Sequence, residues 1–125
     1  MPFKFARRVD PARHSLIIRL TYGTTRVLLT GDSEAKSQLA LMKETDVRAD
    51  VLKVPHHGSK TSSPEFLAAV APSVALISVG AGNSYGHPNS ETLDALTSAT
   101  ILRTDQRGRI TVHSDGTRMT ASTER

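Results

Sequence analysis

Two stretches decide how this chain is read: Leu28-Leu29-Thr30-Gly31-Asp32 and, further along, Val54-Pro55-His56-His57-Gly58-Ser59. Each is an apolar run of strand type that halts at a small or turn-forming residue. Each then presents a group able to bind a metal or a phosphate, a carboxylate in the first and two neighbouring imidazoles in the second. Open α/β sheets build their sites at strand ends. Asp and His on adjacent strand ends therefore point toward metal-assisted hydrolysis.

Outward from these stretches, residues 15–21 and 26–30 read as strands joined by the short hairpin connection Tyr22-Gly23-Thr24-Thr25. Their nearly continuous apolar centres predict cover on both faces. A helix over about 33–44 would turn Ala35, Leu39 and Met42 to one side, with Glu34 in the first turn. Residues 50–54 form a further strand, stopped by Pro55. Ser63 reads as an N-cap with Pro64 at the first helical position, giving a helix that carries Phe66, Leu67 and Val70 inward and ends before Pro72. Residues 74–79 are the clearest buried strand and open into the glycine-rich loop 80–88. A short helix from Ser90, with Leu93 and Leu96 on one face, follows. Short strands at 101–103, 109–112 and 118–120 complete the chain, with turns at 105–108 and 114–116. The alternation predicts α/β layering, with a mixed sheet because its first hairpin is antiparallel. The whole of 1–125 reads as one partial domain, irregular over 1–13 and frayed over 117–125.

Composition narrows the function classes. There is no cysteine, which excludes thiolate zinc sites, disulfide frameworks and cysteine nucleophiles. A metal would need His with Asp or Glu, a donor set that suits zinc, manganese or iron. Aromatic residues are only 4 % of the chain, too few for a base-stacking platform. The net charge of +4, with Arg7, Arg8, Arg13, Arg19 and Arg26 near the start, favours a polyanionic partner such as nucleic acid, although a solvated basic surface is equally ordinary. No apolar run is long enough to cross a bilayer and the first residues lack the apolar middle of a secretion signal, so the chain reads as soluble.

Asp32 is either an ordinary turn or capping carboxylate or a metal ligand, and the imidazoles nearby raise the second reading. His56 and His57, read as neighbours on an extended segment, would point opposite ways, one toward a site and the other packing or meeting substrate. A liganding imidazole is neutral and oriented by a partner behind it. Ser59, Thr61, Ser62 and Ser63 place hydroxyls and amides at a helix start, a plausible phosphate-binding edge. Asn83, Tyr85 and His87 would line the same rim, where His87 is balanced between a structural and a substrate-contact role. His14 and His113 read as non-functional.

The pattern from His14-Ser15-Leu16-Ile17-Ile18, through Thr30-Gly31-Asp32, Asp50 to Ser59, Ile77-Ser78-Val79-Gly80 and Gly86-His87-Pro88, to Arg103-Thr104-Asp105 and Gly108, resembles the C-terminal metallo-β-lactamase-fold domain of the ComEC family of DNA-uptake competence proteins. The resemblance implies an αββα sandwich, of which this chain is the second half. It also implies a two-metal centre, of zinc or manganese, that cleaves DNA phosphodiesters. Asp32 and His57 would then be metal ligands, His56 a catalytic group on the phosphate, and Ser59, Ser62, Asn83, Tyr85 and His87 substrate contacts. The implied partners are DNA, the missing N-terminal half of the domain and a membrane channel. The parent would sit at the bacterial cell membrane with this domain extracytoplasmic. The family's His-x-His-x-Asp-His cluster is missing, and two ligands fall short of the three protein ligands usual for catalytic zinc. The chain alone is therefore expected to be weakly active or inactive. Two other readings stand beside this one: a non-catalytic nucleic-acid-binding or assembly half, and a small-phosphodiester hydrolase of the phosphorylcholine type.

Overall fold

The hairpin read from the sequence lies within a mixed sheet of six strands among the described residues. A computed structural model describes the backbone of residues 4–9 and all of residues 15–125. Strands β1 (Lys4–Val9), β2 (Leu16–Tyr22) and β3 (Thr25–Leu29) are antiparallel neighbours. From β3 onward the pairing is parallel, through β4 (Val51–Lys53), β5 (Val74–Ile77) and β6 (Thr100–Arg103). Parallel neighbours need a crossover. Helices α1 (Ala35–Glu44), α2 (Pro64–Val70) and α3 (Ser90–Asp94) supply the three crossovers, so sheet order follows chain order. A short α4 (Thr104–Arg107) then leads to an antiparallel pair, β7 (Ile110–Ser114) and β8 (Met119–Thr123).

Two chain-end expectations need correction. Residues 4–9 pair along β2 rather than running irregularly. Residues 119–123 are not frayed, because they pair with β7 and the Glu124 carboxylate accepts the Arg109 N–H at 2.9 Å. Residues 1–3 and 10–14, His14 among them, lie outside the described residues. The expected turn at 105–108 is instead helix α4 closed by Gly108.

One face of the sheet packs on the helices. Ile17, Leu28, Leu52, Ala75 and Ile77 meet Phe66, Leu67 and Val70 of α2, with Leu96 beyond α3. Each fully buried aliphatic or aromatic side chain contributes about 1.5–3 kcal/mol. The register places Ile18, Leu29, Lys53, Leu76 and Leu102 in a row on the other face, where all are only half-buried, and Leu16 is 37 % exposed. The hairpin is therefore not covered equally on both faces.

Helix α2 follows its sequence closely. Ser63 Oγ accepts the Phe66 N–H at 3.2 Å, Pro64 opens the helix, and the chain leaves through Ala71 at φ 46°. Helix α1 departs from expectation. Leu39 is exposed, while Ser37, Gln38 and Leu41 are buried. The reason lies in the Gln38 amide, which is wholly enclosed yet satisfied: it donates to Ser33 O at 2.9 Å and Ser62 Oγ at 3.2 Å, and accepts the Ser63 N–H at 2.8 Å. Hydrogen bonds from its partners offset the cost of taking the amide out of water, so its burial does not oppose that helix rotation.

Candidate active site at the strand ends

Strands β3 and β4 end side by side, with Leu29 opposite Lys53. Thr30, fully buried, donates its hydroxyl to the Lys53 carbonyl. Gly31 at φ 53° turns its carbonyl to accept the His56 N–H at 2.9 Å. These bonds stitch the turn bearing Asp32 to the turn bearing the histidines. Asp32 itself is exposed, and its charge acts on the ammonium of half-buried Lys53, whose pKa is lowered chiefly by burial and partly restored by Asp32.

The expectation of an extended His56-His57 segment is overturned. His56 (φ 50°, ψ 48°), His57 (φ 55°, ψ 26°) and Gly58 (φ 82°) form an unbroken left-handed run. Left-handed backbone costs a non-glycine residue roughly 1–2 kcal/mol, and such strain gathers at functional sites. Here it brings both rings to the same rim. Their centroids lie 6.3 Å apart. His87 arrives from the loop after β5 at 5.9 Å from His56 and 6.5 Å from His57, so three imidazoles form a triangle.

Each ring has a distinct state. His57 Nδ1 lies 2.7 Å from the Ser78 carbonyl oxygen. A carbonyl only accepts, so Nδ1 carries the proton, which in the neutral ring leaves the lone pair on Nε2, the tautomer in which a second partner orients a metal-binding imidazole. His56 Nδ1 is buried without a hydrogen-bond partner. The His87 pKa is lowered, first by burial and then by His56 and His57, which disfavour its cationic form.

The loop that delivers His87 is built from within. Asn83 Nδ2 donates to Gly80 O at 3.2 Å and His87 O at 2.8 Å, while its Oδ1 accepts the N–H groups of Tyr85 at 3.1 Å and His87 at 3.2 Å. With both ends of its amide engaged, Asn83 acts as the loop's organiser. Tyr85 is 80 % exposed and stacks on His87 at 5.8 Å. Beyond the cis His87-Pro88 bond, Asn89 donates its N–H to Gly58 O at 2.8 Å, which ties the loop to the histidine turn. At the loop's root, Thr104 Oγ1 accepts the Val79 N–H at 2.9 Å and donates to Val79 O at 3.0 Å.

The structure thus gathers His56, His57, His87 and Tyr85 on one rim, with the Asp32 turn bonded alongside. Ser59 and Ser62 follow the histidine turn directly in the chain. Both are buried: Ser59 Oγ accepts from the Thr61 amide and hydroxyl, and Ser62 Oγ accepts from Gln38. Their hydroxyls shape the turn from inside. Gln38 and Thr104 were missed by sequence reading, since a polar residue in a helix and a threonine after a strand carry no local mark of what they will meet.

The donor chemistry of His57 fits a metal ligand. Among the described residues, however, no group of three or more His, Asp or Glu side chains is placed to hold a metal ion. This chain's residues fit part of a metal site and do not complete one.

No family model matches the chain. Relatives do. It is 42 % identical over 108 residues, 81 % of this chain, to ComE operon protein 3 of Bacillus subtilis. It is also 42 % identical over 96 residues, 76 % of this chain, to Recombination protein 2 of Haemophilus influenzae. The chain belongs to the ComEC family. Competence protein ComA of Neisseria gonorrhoeae adds a third relative, 35 % identical over 107 residues and 82 % of this chain. The chain spans only 14 %, 12 % and 16 % of the lengths of these three proteins. It is therefore similar to a segment of them. The ComEC-like motifs from Leu16 to Gly108 fall on the strand ends and loops just described, and no helix among the described residues is long and apolar enough to cross a membrane.

Proposed function

We propose that this ComEC-family segment forms one wall of a site that hydrolyses DNA phosphodiesters during DNA uptake. The observation that carries the reading is the convergence of His56, His57 and His87 on the rim where β4 and β5 end. The left-handed strain of the first two, and the fixed tautomer of His57, support it. The names of the relatives, in competence and recombination, supply the biological setting.

In this reading His57 Nε2 and the Asp32 carboxylate serve as ligands to a divalent cation, zinc or manganese, whose other ligands come from outside the described residues. A bound cation supplies Lewis acidity toward the phosphate and lowers the pKa of water. The Ser78 carbonyl keeps His57 in the liganding tautomer. His56 and His87 meet the phosphate oxygens, and because His87 is disposed to be neutral it accepts or relays a proton near neutral pH. Tyr85, stacked on His87 and exposed, offers a flat face to a base. The half-buried apolar face of the sheet supports packing against a further layer, which would bring the remaining ligands.

Cleavage of single-stranded DNA with added Mn²⁺ or Zn²⁺, measured for this chain and for a longer protein in which it replaces the matching segment of ComE operon protein 3, tests the reading. The chain alone should cut weakly. The longer protein should cut, and H57A should reduce its rate by about a hundredfold or more. Undiminished cutting by H57A would remove His57 from the site. The incomplete ligand set favours one other reading, a non-catalytic nucleic-acid-binding or assembly module. DNA binding that ignores chelators, with no cleavage by the longer protein, would select it.

A further inference from the structure

The opposite end of the sheet carries a second feature that the histidine rim does not use. An open cleft of about 450 Å³ lies where β3 and β4 begin, lined by Arg26, Arg48, Asp46 and Asp50, with Thr21 at its side. Arg19 reaches in from β2 and donates to the Asp46 carbonyl. Three guanidinium groups therefore gather around two carboxylates, more than about 10 Å along β4 from the histidines.

The carboxylates are engaged in holding this corner together. Asp46 Oδ1 accepts the Arg48 N–H at 3.0 Å, and Asp50 Oδ2 accepts the Arg26 N–H at 2.8 Å. The Asp46 pKa is lowered, first by the Arg48 backbone N–H and then, against burial, by the three arginines, so it stays ionised and bound in place. The guanidiniums are differently situated. Arg26 approaches Asp46 only at 3.6 Å, too far for a hydrogen bond, and both side chains are open to solvent. The Arg48 guanidinium acts on Asp46 through its charge alone, with no hydrogen bond of its own among the described residues, and Arg19 Nε is buried without a hydrogen-bond partner. Among the described residues, this corner lacks a multidentate acceptor.

We infer that the cleft binds a phosphate oxyanion between Arg26 and Arg48, as a site separate from the histidine rim. Guanidinium forks match tetrahedral oxyanions in geometry and charge. The cleft's volume admits a phosphate together with an attached sugar. The oxyanion can belong to a nucleic acid strand or to a free phosphate, and the test separates the two. The inference does not depend on the hydrolase reading.

Binding of a fluorescein-labelled single-stranded oligonucleotide is measured by anisotropy over a range of salt. Stabilisation by inorganic phosphate is measured by thermal shift. Both are run on the wild-type chain, R48Q, the R26Q/R48Q double variant and R109Q, which removes a cation elsewhere on the surface, with the melting temperature without ligand confirming the fold. R48Q alone, at an exposed position, stands in if the double variant does not fold. A nucleic acid source predicts about tenfold weaker oligonucleotide binding per arginine removed. The salt slope should then fall by about 0.7 for each lost contact. A free phosphate source predicts unchanged oligonucleotide binding, with phosphate stabilisation lost in R48Q. R109Q, at an exposed position outside both sites, should match wild type in phosphate stabilisation and lose far less oligonucleotide binding than R48Q. The inference is overturned if the wild type responds to neither probe, or if the double variant responds to both as the wild type does.

Discussion

Gly58 and Pro88 are packed so closely that a Cβ on the glycine would lie 2.6 Å from the proline Cβ and 3.0 Å from its Cα. This contact joins the histidine turn to the loop carrying His87, so the triangle of rings depends on a missing side chain. Gly58 also sits at φ 82°, where a side chain is strained even in open space. Gly58→Ala should cost about 2–4 kcal/mol, combining left-handed strain with overpacking. Gly86→Ala, at φ 74° with nothing within 4 Å, should cost only about 1 kcal/mol. Urea denaturation of the two variants measures the difference, and equal losses would mean that the Pro88 contact carries no energy.

His56 combines a left-handed backbone with a buried, unpartnered Nδ1. Both features cost stability. His56→Gly should change stability by less than about 1 kcal/mol, since relief of backbone strain offsets lost packing. DNA cleavage by the longer protein should nevertheless fall at least about tenfold. Thermal melts alongside initial rates check the pair. A large loss of stability would make His56 a structural residue.

Gln38 links three segments through one amide, binding Ser33, Ser62 and Ser63. Gln38→Leu strands the Ser63 N–H and the Ser33 carbonyl in the interior, with about 1–3 kcal/mol lost for each unsatisfied group. A total loss of roughly 3–4 kcal/mol is expected by denaturant titration. Amide exchange at Ser62 and Ser63 should quicken, because the turn beneath the site loses its brace.

Arg103 and Asp105 form a two-pronged ion pair, Nε to Oδ1 at 3.0 Å and NH2 to Oδ2 at 2.6 Å, with the side chains 22 % and 14 % exposed. The Arg103 hydrogen bonds hold the Asp105 carboxyl below its usual 3.8, against burial. A carboxyl whose pKa is depressed by folding binds fewer protons folded than unfolded. Its stabilisation is complete above the ordinary value and is lost as pH falls through the folded one. Melting temperatures of the wild type should drop more steeply below about pH 4 than those of Asp105→Asn. At neutral pH Asp105→Ala should be less stable by about 1.5 kcal/mol. Parallel melting curves for wild type and Asp105→Asn across the acid range would exclude this pair as the cause.

Much of the architecture was legible because its causes are local. The Ser63-Pro64 start of α2, the Tyr22-Gly23 hairpin and the apolar run at 74–77 each specify their structure within a few residues, by capping, turn chemistry and burial. The α1 face was misread because Gln38 is buried only through partners on two other segments.

For the site, the sequence by itself determined which chemistry is present: imidazoles and a carboxylate at strand ends, without a thiolate. It also placed the segment in its family. Only the tertiary structure decided which of those groups meet. Their convergence rests on parallel strand register, on a left-handed turn that reverses the outlook of His56 and His57, and on loop contacts made possible by the bare Cα of Gly58. These are long-range steric and hydrogen-bonding conditions, and no pattern of neighbouring residues encodes them.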